Sequence, residues 1–232
     1  MRVELVIFDL DGTLVDSRKD IVLSVNHSLR SLELPELSEE KISDFVGRGV
    51  TSLIRSVLRE NQIFVPEQGA VRTGPEQKIF KKAIKLFKEY YSGHLLDHTV
   101  LFPGVKGVLA DLKNYRKAVI TNKPKDFSVK ILEGLKVLSD FSEILGGDFG
   151  GPKKPAPDGL IVLMEKLVTS PERTMIVGDS VIDIEAGRNA KVRSCAVIHG
   201  FGKYEDLRNA RPDFLLKDIR ELPGLLTSFE DL

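Results

Sequence analysis

The residues of this chain that could do chemistry together begin with two aspartates separated by a single residue. Asp9 and Asp11 follow an apolar run over residues 3–8. Because only Glu4 in that run is polar, it is predicted to be a buried parallel strand. Residues two apart in an extended chain point the same way, and Gly12 allows a sharp turn after them. Two carboxylates this close are unfavourable unless a cation or a shared proton separates them, which favours metal-assisted chemistry.

Further polar residues follow later strands of the predicted sheet. The carboxyl ends of parallel strands meet along one edge, so groups far apart in sequence can converge there. Together, the polar residues at these strand ends supply a nucleophile, an acid or base, a hydroxyl, an ammonium and carboxylates for a hard cation. Phosphoryl transfer needs this set of groups. The groups are Asp9 with Asp11, Thr121 with Asn122, Lys153 with Lys154, and Asp179 with Asp183.

Alternating strand and helix patterns predict the elements that position these groups. Repeated strand-helix units imply a parallel sheet covered on both faces. The predicted fold is therefore α/β, a doubly wound parallel sheet with a Rossmann-like core. After the strand at 3–8, strands are predicted over 117–121, 142–145, 174–177, 194–198 and 214–216, and helices over 105–114, 126–135, 158–167 and 182–190.

The segment between the first and second of these strands shows helical periodicity without a convincing strand. It is predicted to be an inserted α-helical cap over residues 17–97, and residues 1–16 with 98–232 are predicted to form the core. Residues 66–75, rich in glycine and proline, are predicted to be a mobile loop. Five lysines share one side of the last cap helix, and a solvated face is favoured over a substrate-attracting stripe. Cap helices are predicted over 20–32, from Ser38 through 45, 51–60 and 76–91.

Composition excludes several classes of partner. The chain has 34 Lys and Arg residues against 34 Asp and Glu residues, so its charge indicates neither nucleic-acid nor membrane binding. No positive segment precedes a long apolar one, and no apolar run approaches the roughly 20 residues of a membrane helix. Cys195 is the single cysteine, which excludes an intrachain disulfide and is predicted to be a small buried hydrophobe. A cytoplasmic protein is expected, either monomeric or homodimeric.

Four segments resemble, in order, the motifs of the haloacid dehalogenase superfamily of phosphotransferases. The insert likewise resembles the C1-type cap of that superfamily, and the closest resemblance within it is to phosphoglycolate phosphatases. Two features depart from that pattern, namely the segment His199-Gly200-Phe201-Gly202 and the long loop over 66–75. The motif-bearing segments are Asp9-Leu10-Asp11-Gly12-Thr13-Leu14, Val119-Ile120-Thr121-Asn122-Lys123, Lys154-Pro155-Ala156-Pro157-Asp158, and residues 176–187 around Gly178-Asp179.

The resemblance implies a role for each candidate residue of the core. Asp9 would be the nucleophile that forms an aspartyl-phosphate, and Asp11 the acid that protonates the leaving oxygen and then activates water. Mg²⁺ would be bound by Asp9, Asp179 and the main-chain carbonyl of Asp11, and Asp183 would hold one of its waters. Lys154, which directly precedes proline, would neutralise the phosphoryl group in preference to Lys153.

Substrate contacts are implied at three further positions. Thr121 and the amide of Asn122 would donate to phosphoryl oxygens. Arg48, flanked by glycines at a break between cap helices, is either a substrate contact or an ordinary surface residue. His94, Asp97 and His98 are predicted to mark the hinge of the insert and not to bind a metal.

The implied activity is a Mg²⁺-dependent phosphatase acting on a small phosphate ester, with 2-phosphoglycolate as the first expectation. A sugar-phosphate mutase similar to beta-phosphoglucomutase uses the same groups and is the alternative among enzymes. A phospho-acceptor signalling module is the alternative from another class. An insert of roughly eighty residues favours the enzyme, because it suits enclosing a small molecule and excluding water.

Overall fold

The computed structural model describes residues 2–65 and 74–229. Contacts between Cα atoms divide the chain into two compact units, Met1–Asp16 with Val100–Leu232, and Ser17–Thr99. The limits predicted from the sequence are 1–16 with 98–232 for the core and 17–97 for the helical insert. Most of the predicted loop over 66–75 lies outside the described residues.

The first unit contains a parallel sheet, which confirms the predicted α/β class. The strands of the unit are β1 (Leu5–Phe8), β2 (Val15–Asp16), β3 (Val100–Leu101), β4 (Arg116–Ile120), β5 (Glu143–Leu145), β6 (Thr174–Gly178), β7 (Arg193–Val197) and β8 (Phe214–Leu216). The sheet has the order β5-β4-β1-β6-β7-β8, and every neighbouring pair in it is parallel, with Phe8 opposite both Val119 and Val177. A separate antiparallel pair, β2 with β3, was not predicted, because two-residue strands show no periodicity.

The helices of the described residues agree with the predicted ones to within a few residues. The last two were not predicted, since each buries only one or two side chains and shows little periodicity. The α-helices of the described residues are α1 (Arg18–Arg30), α2 (Glu39–Ser43), α3 (Val50–Glu60), α4 (Pro75–Gly93), α5 (Val105–Asp111), α6 (Lys125–Gly134), α7 (Asp158–Lys166), α8 (Val181–Asn189), α9 (Tyr204–Ala210) and α10 (Leu222–Thr227).

Burial of β1 explains why its sequence is apolar on both faces. All four of its residues are buried, and Leu5 and Ile7 pack in one cluster with Ile120, Leu160 and Ile176. Removing such side chains from water stabilises the fold by about 1.5–3 kcal/mol for each. The sheet is therefore a rigid support for the residues that follow its strands.

In the second unit, α1 packs against α4 and α3 packs against α4. Helix α4 has the two-sided character that its sequence predicts, with Phe80, Ala83, Phe87 and Tyr91 buried. Ser38 is the N-cap of α2, at the helix start that the sequence predicts, and its hydroxyl accepts a hydrogen bond from the Lys41 amide. The lysines of the opposite side of α4 are all exposed, namely Lys78, Lys81, Lys82, Lys85 and Lys88.

Among residues 2–65 and 74–229, no helix combines the length and the apolar character that a membrane span needs.

Candidate active site

Three buried polar residues follow neighbouring strands at one edge of the sheet. Asp9 follows β1, Thr121 follows β4 and Asp179 follows β6, and all three are buried. Strands β4 and β6 flank β1 in parallel register, so these three residues emerge at nearly the same level. The carboxyl edge of the sheet thus assembles groups that lie between 58 and 170 residues apart in the chain.

The ammonium of Lys154 lies between two of the carboxylates. Its Nζ is 2.8 Å from Asp9 Oδ1 and 2.6 Å from Asp183 Oδ1, and it also donates to the Ile120 carbonyl at 3.1 Å. Burial alone would lower the pKa of Lys154, but Asp183 and Asp9 outweigh burial and raise it. Lys154 is therefore a fixed positive charge beside Asp9.

The loop that carries Lys154 is held in place by the side chain of Asn122. The Lys154 amide donates to Asn122 Oδ1 at 3.0 Å, and Asn122 Nδ2 donates to the Lys154 carbonyl at 3.1 Å. The neighbouring Lys153 instead directs its Nζ toward the Asn122 carbonyl at 3.4 Å. Of these two lysines, the one directly before proline contacts the carboxylates.

Asp179 is enclosed by hydrogen bonds and by glycines. Its carboxylate accepts hydrogen bonds from Thr13 Oγ1 at 3.0 Å and from the Phe201 amide at 2.7 Å. A Cβ atom on Gly12 or on Gly200 would overlap this carboxylate, so both positions require glycine. Gly12 also has a φ of +88°, a left-handed conformation that side chains disfavour.

Asp183 has two functions in the structure at once. It is the third residue of α8, where its Oδ2 accepts hydrogen bonds from the Ser180 amide at 3.1 Å and the Ser180 hydroxyl at 2.5 Å. This capping box satisfies the start of the helix and fixes the orientation of the carboxylate. Its other oxygen then faces Lys154.

Three buried carboxylates come close enough to hold one metal ion. Ligand atoms of Asp9, Asp179 and Asp183 all lie within 4.8 Å of one another. Oxygen donors of this kind match a hard cation such as Mg²⁺. Lys154 offsets only one of the three negative charges.

The pKa values in this group reflect the crowding of negative charge. Burial raises the pKa of Asp9 well above its ordinary value, Lys154 opposes this, and Asp183 and Asp179 raise it further. Burial, followed by the charge of Asp183, raises the pKa of Asp179 to about 7. A divalent cation would favour the ionised form of every carboxylate here.

Asp11 has different surroundings from Asp9. Its Oδ1 lies 2.5 Å from the Nζ of Lys123, and both side chains are about nine-tenths buried. The amide of Lys123 donates to Thr121 Oγ1 at 3.1 Å, which ties this turn to the end of β4. The carboxylates of Asp9 and Asp11 are thus each paired with a separate lysine.

The remaining residues considered in the sequence analysis do not belong to this group of carboxylates and lysines. Arg48 is an exposed residue of the helical unit, between two glycines of positive φ, and its role stays a prediction. His94 pairs with Asp97 at 2.6 Å, whereas His98 hydrogen-bonds to Asp20. Cys195 is buried on β7 as predicted, and burial raises its pKa to about 12.

Some residues that shape the site were quoted in the sequence motifs or in the departing segment 199–202, but no role was predicted for them. Thr13 and the Gly200–Gly202 segment support Asp179, and Lys123 pairs with Asp11. His199 Nε2 contacts the Thr13 carbonyl at 3.0 Å and so links this segment to the first motif. The glycine spacing at 200 and 202 was the available signal, because close approach of backbone to a buried carboxylate requires it.

A doubly wound sheet with buried aspartates and a lysine at its carboxyl edge is the arrangement expected of an α/β phosphotransferase. Comparison with known proteins defines the class further. The family model described as haloacid dehalogenase-like hydrolase matches residues 6–197. The chain belongs to the haloacid dehalogenase-like hydrolase family, which confirms the resemblance seen in its motifs.

Individual relatives match over nearly the whole chain. The phosphoglycolate phosphatase of Vibrio cholerae is 38% identical, with 95% of each chain covered. That of Aquifex aeolicus is 33% identical, again with 95% of each covered. A solved structure described as a predicted phosphoglycolate phosphatase from Haemophilus somnus superposes with a TM-score of 0.87 at 30% identity, covering 97% of this chain and 98% of that one.

Proposed function

We propose that this hydrolase is a Mg²⁺-dependent phosphatase whose substrate is 2-phosphoglycolate. The observation that carries the proposal is the buried group of Asp9, Asp179 and Asp183 beside Lys154, in a chain similar throughout to phosphoglycolate phosphatases. Mg²⁺, held by Asp9, Asp179 and the main-chain carbonyl of Asp11, would supply positive charge to the phosphoryl oxygens.

In the first step, an Asp9 carboxylate oxygen attacks phosphorus, and the bond from phosphorus to the leaving oxygen breaks. Asp11 gives its proton to that oxygen, so glycolate departs as the hydroxy acid anion. Lys154, 2.8 Å from Asp9, neutralises charge on the nucleophile and on the transferred group. Thr121 and the Asn122 amide donate to phosphoryl oxygens.

In the second step, water attacks the phosphorus of the aspartyl-phosphate and Asp11 takes its proton. The bond between phosphorus and the Asp9 oxygen breaks, which restores the Asp9 carboxylate and releases inorganic phosphate. The fixed orientation of Lys154 serves both steps, because the same phosphoryl group is transferred twice.

We further propose that Arg48 contacts the substrate, in which case Arg48→Ala impairs 2-phosphoglycolate turnover more than aryl phosphate turnover.

Release of inorganic phosphate from a panel of phosphate esters with Mg²⁺ tests the proposed function. The expected result is that 2-phosphoglycolate has the highest kcat/KM of the panel. Turnover of other esters with none of 2-phosphoglycolate would refute the substrate. Isomerisation of sugar phosphates without phosphate release would instead indicate a mutase, and labelling without turnover would indicate a phospho-acceptor module.

A further inference from the structure

Lys123 is a buried, charged residue of this site to which the reaction scheme gives no function. We propose that Lys123 selects esters whose leaving group carries a carboxylate on the carbon next to the leaving oxygen. The proposal rests on the proposed function and adds to it the residue that recognises the leaving group.

The position of Lys123 is tightly defined. Its ammonium lies 2.5 Å from Asp11 Oδ1, and the side chains of Lys123 and Asp11 are 6% and 10% exposed. The Lys123 amide donates to Thr121 Oγ1, and Pro124 follows as the N-cap residue directly before α6. A buried ammonium is unfavourable without an anionic partner, so Lys123 must keep one throughout the reaction.

The chemistry of Asp11 places the leaving group beside Lys123. To protonate the leaving oxygen, the Asp11 carboxylate must contact that oxygen. The atoms bonded to the leaving oxygen then lie next to the ammonium that Asp11 faces in this structure. A carboxylate one carbon away offers Lys123 a replacement partner while Asp11 turns to the leaving oxygen.

Lys154 differs from Lys123 in what it can recognise. Its ammonium is already held by Asp9, Asp183 and the Ile120 carbonyl, on the side of the nucleophile. Lys123 is held on the side of the acid, where the leaving group must lie. The two lysines therefore divide the substrate between them, Lys154 contacting the phosphoryl group and Lys123 the leaving group.

A pair of matched substrates tests this division. Ethyl phosphate has the same two-carbon skeleton as 2-phosphoglycolate, with a methyl group where 2-phosphoglycolate has its carboxylate. Lys123→Met should lower kcat/KM for 2-phosphoglycolate by about 10- to 100-fold more than for ethyl phosphate, since a hydrogen bond between charged groups is lost. Glycolate should also inhibit this variant more weakly than it inhibits the wild type.

The control is Lys125→Met, because Lys125 is half exposed and pairs with Glu143. It should leave kcat/KM for both substrates unchanged. Lys123→Gln provides a second variant of similar length should the methionine variant fail to fold.

Equal losses on both substrates, with unchanged glycolate inhibition, would overturn the proposal and leave Lys123 as a support for Asp11. A wild type that hydrolyses 2-phosphoglycolate, together with a Lys123→Met protein of unchanged preference, would overturn the Lys123 assignment alone. A wild type that does not hydrolyse 2-phosphoglycolate would overturn the proposed function.

Discussion

Asp9 and Asp11 differ in the residues that surround them, although one residue separates them in the chain. Asp9 belongs to the buried group with Asp179, Asp183 and Lys154, and its Oδ1 lies 2.8 Å from the Lys154 ammonium. Asp11 faces Lys123 outside that group. This contrast favours the nucleophile role for Asp9 and the acid and base role for Asp11.

Substitution of each aspartate separates the two roles. Asp9→Asn should lower turnover of every ester by about 10⁴-fold or more, because an amide is a poor nucleophile. Asp11→Asn should still be phosphorylated by an aryl phosphate, whose leaving group needs no proton, but should hydrolyse about 10²–10⁴-fold more slowly. Intact-protein mass spectrometry after a short aryl phosphate pulse should detect phosphate on Asp11→Asn alone; the opposite labelling would exchange the two roles.

Gly12 provides a second test at the scale of single residues. Gly12→Ala adds a methyl group that overlaps the Asp179 carboxylate and also strains a φ of +88°. The expected loss of folding stability is about 1–3 kcal/mol, together with weaker Mg²⁺ binding. Thermal unfolding with and without Mg²⁺ measures both.

Gly150 is the matched control, since its φ is +93° and a Cβ atom there would meet nothing within 4 Å. Gly150→Ala should therefore reproduce the backbone strain and leave Mg²⁺ binding intact. If both variants keep wild-type Mg²⁺ binding, Gly12 does not support Asp179 in the way described.

At the scale of elements, the two ends of the helical unit are joined by one buried carboxylate. Asp20, near the start of α1, accepts hydrogen bonds from the His98 amide at 3.0 Å and from the Thr99 amide and hydroxyl at 2.8 and 2.7 Å. Its Oδ1 also contacts His98 Nδ1 at 2.8 Å. This carboxylate therefore ties residues 98 and 99 to α1, whereas the hinge position expected for His98 stays a prediction.

Asp20 should make the stability of the helical unit depend on pH. Burial alone would raise the pKa of Asp20, but the hydrogen bonds from Thr99 and His98 outweigh it and lower the pKa. A lowered pKa contributes stability above the unfolded value of about 4, and this is lost as the pH falls through the folded value. Asp20→Asn should therefore reduce the free energy of unfolding by about 1–3 kcal/mol at pH 7, and by progressively less below pH 4.

Thermal unfolding and amide hydrogen exchange in α1, followed from pH 7 to pH 3, measure this difference. The control is Asp97→Asn, because Asp97 is half exposed and forms a surface pair with His94 worth about 0–1 kcal/mol. A difference between wild type and Asp20→Asn that stays constant over the whole pH range would contradict the role of its charge.

At the scale of the whole molecule, metal binding and folding should be coupled. Asp9, Asp179 and Asp183 bring three carboxylates together, and the Lys154 ammonium contacts Asp9 and Asp183. The folded state should therefore bind Mg²⁺ in a way that the unfolded chain cannot. At a Mg²⁺ concentration one hundred times its Kd, the stabilisation is about 2.7 kcal/mol. For a chain of this size that corresponds to a rise in Tm of about 5–10 °C.

Asp179→Asn should remove most of this rise and increase the Mg²⁺ concentration needed for turnover. A strong chelator should abolish the activity of the wild type, and added Mg²⁺ should restore it. Asp206→Asn is the control, because Asp206 is an exposed residue in the first turn of α9. An Asp179→Asn protein with an unchanged metal response would remove Asp179 from the site.

Much of this architecture could be predicted from the sequence by itself. Residue types and the periodicity of apolar residues indicated the parallel sheet, the helical insert and the aspartates after β1 and β6. Burial and secondary structure impose that periodicity on the sequence. The motifs also identified the family. These signals are local, and each is readable within one element.

The tertiary structure decided which groups meet. Thr13 reaches Asp179 across 166 residues, Lys123 reaches Asp11 across 112, and Lys154 reaches Asp183 across 29. No periodicity specifies such pairs, because they depend on strand register, on side-chain rotamers and on glycines that let the backbone approach. The sequence by itself therefore determined the kinds of groups at the edge of the sheet, whereas only the packing of the strands determined that each of Asp9 and Asp11 has its own lysine.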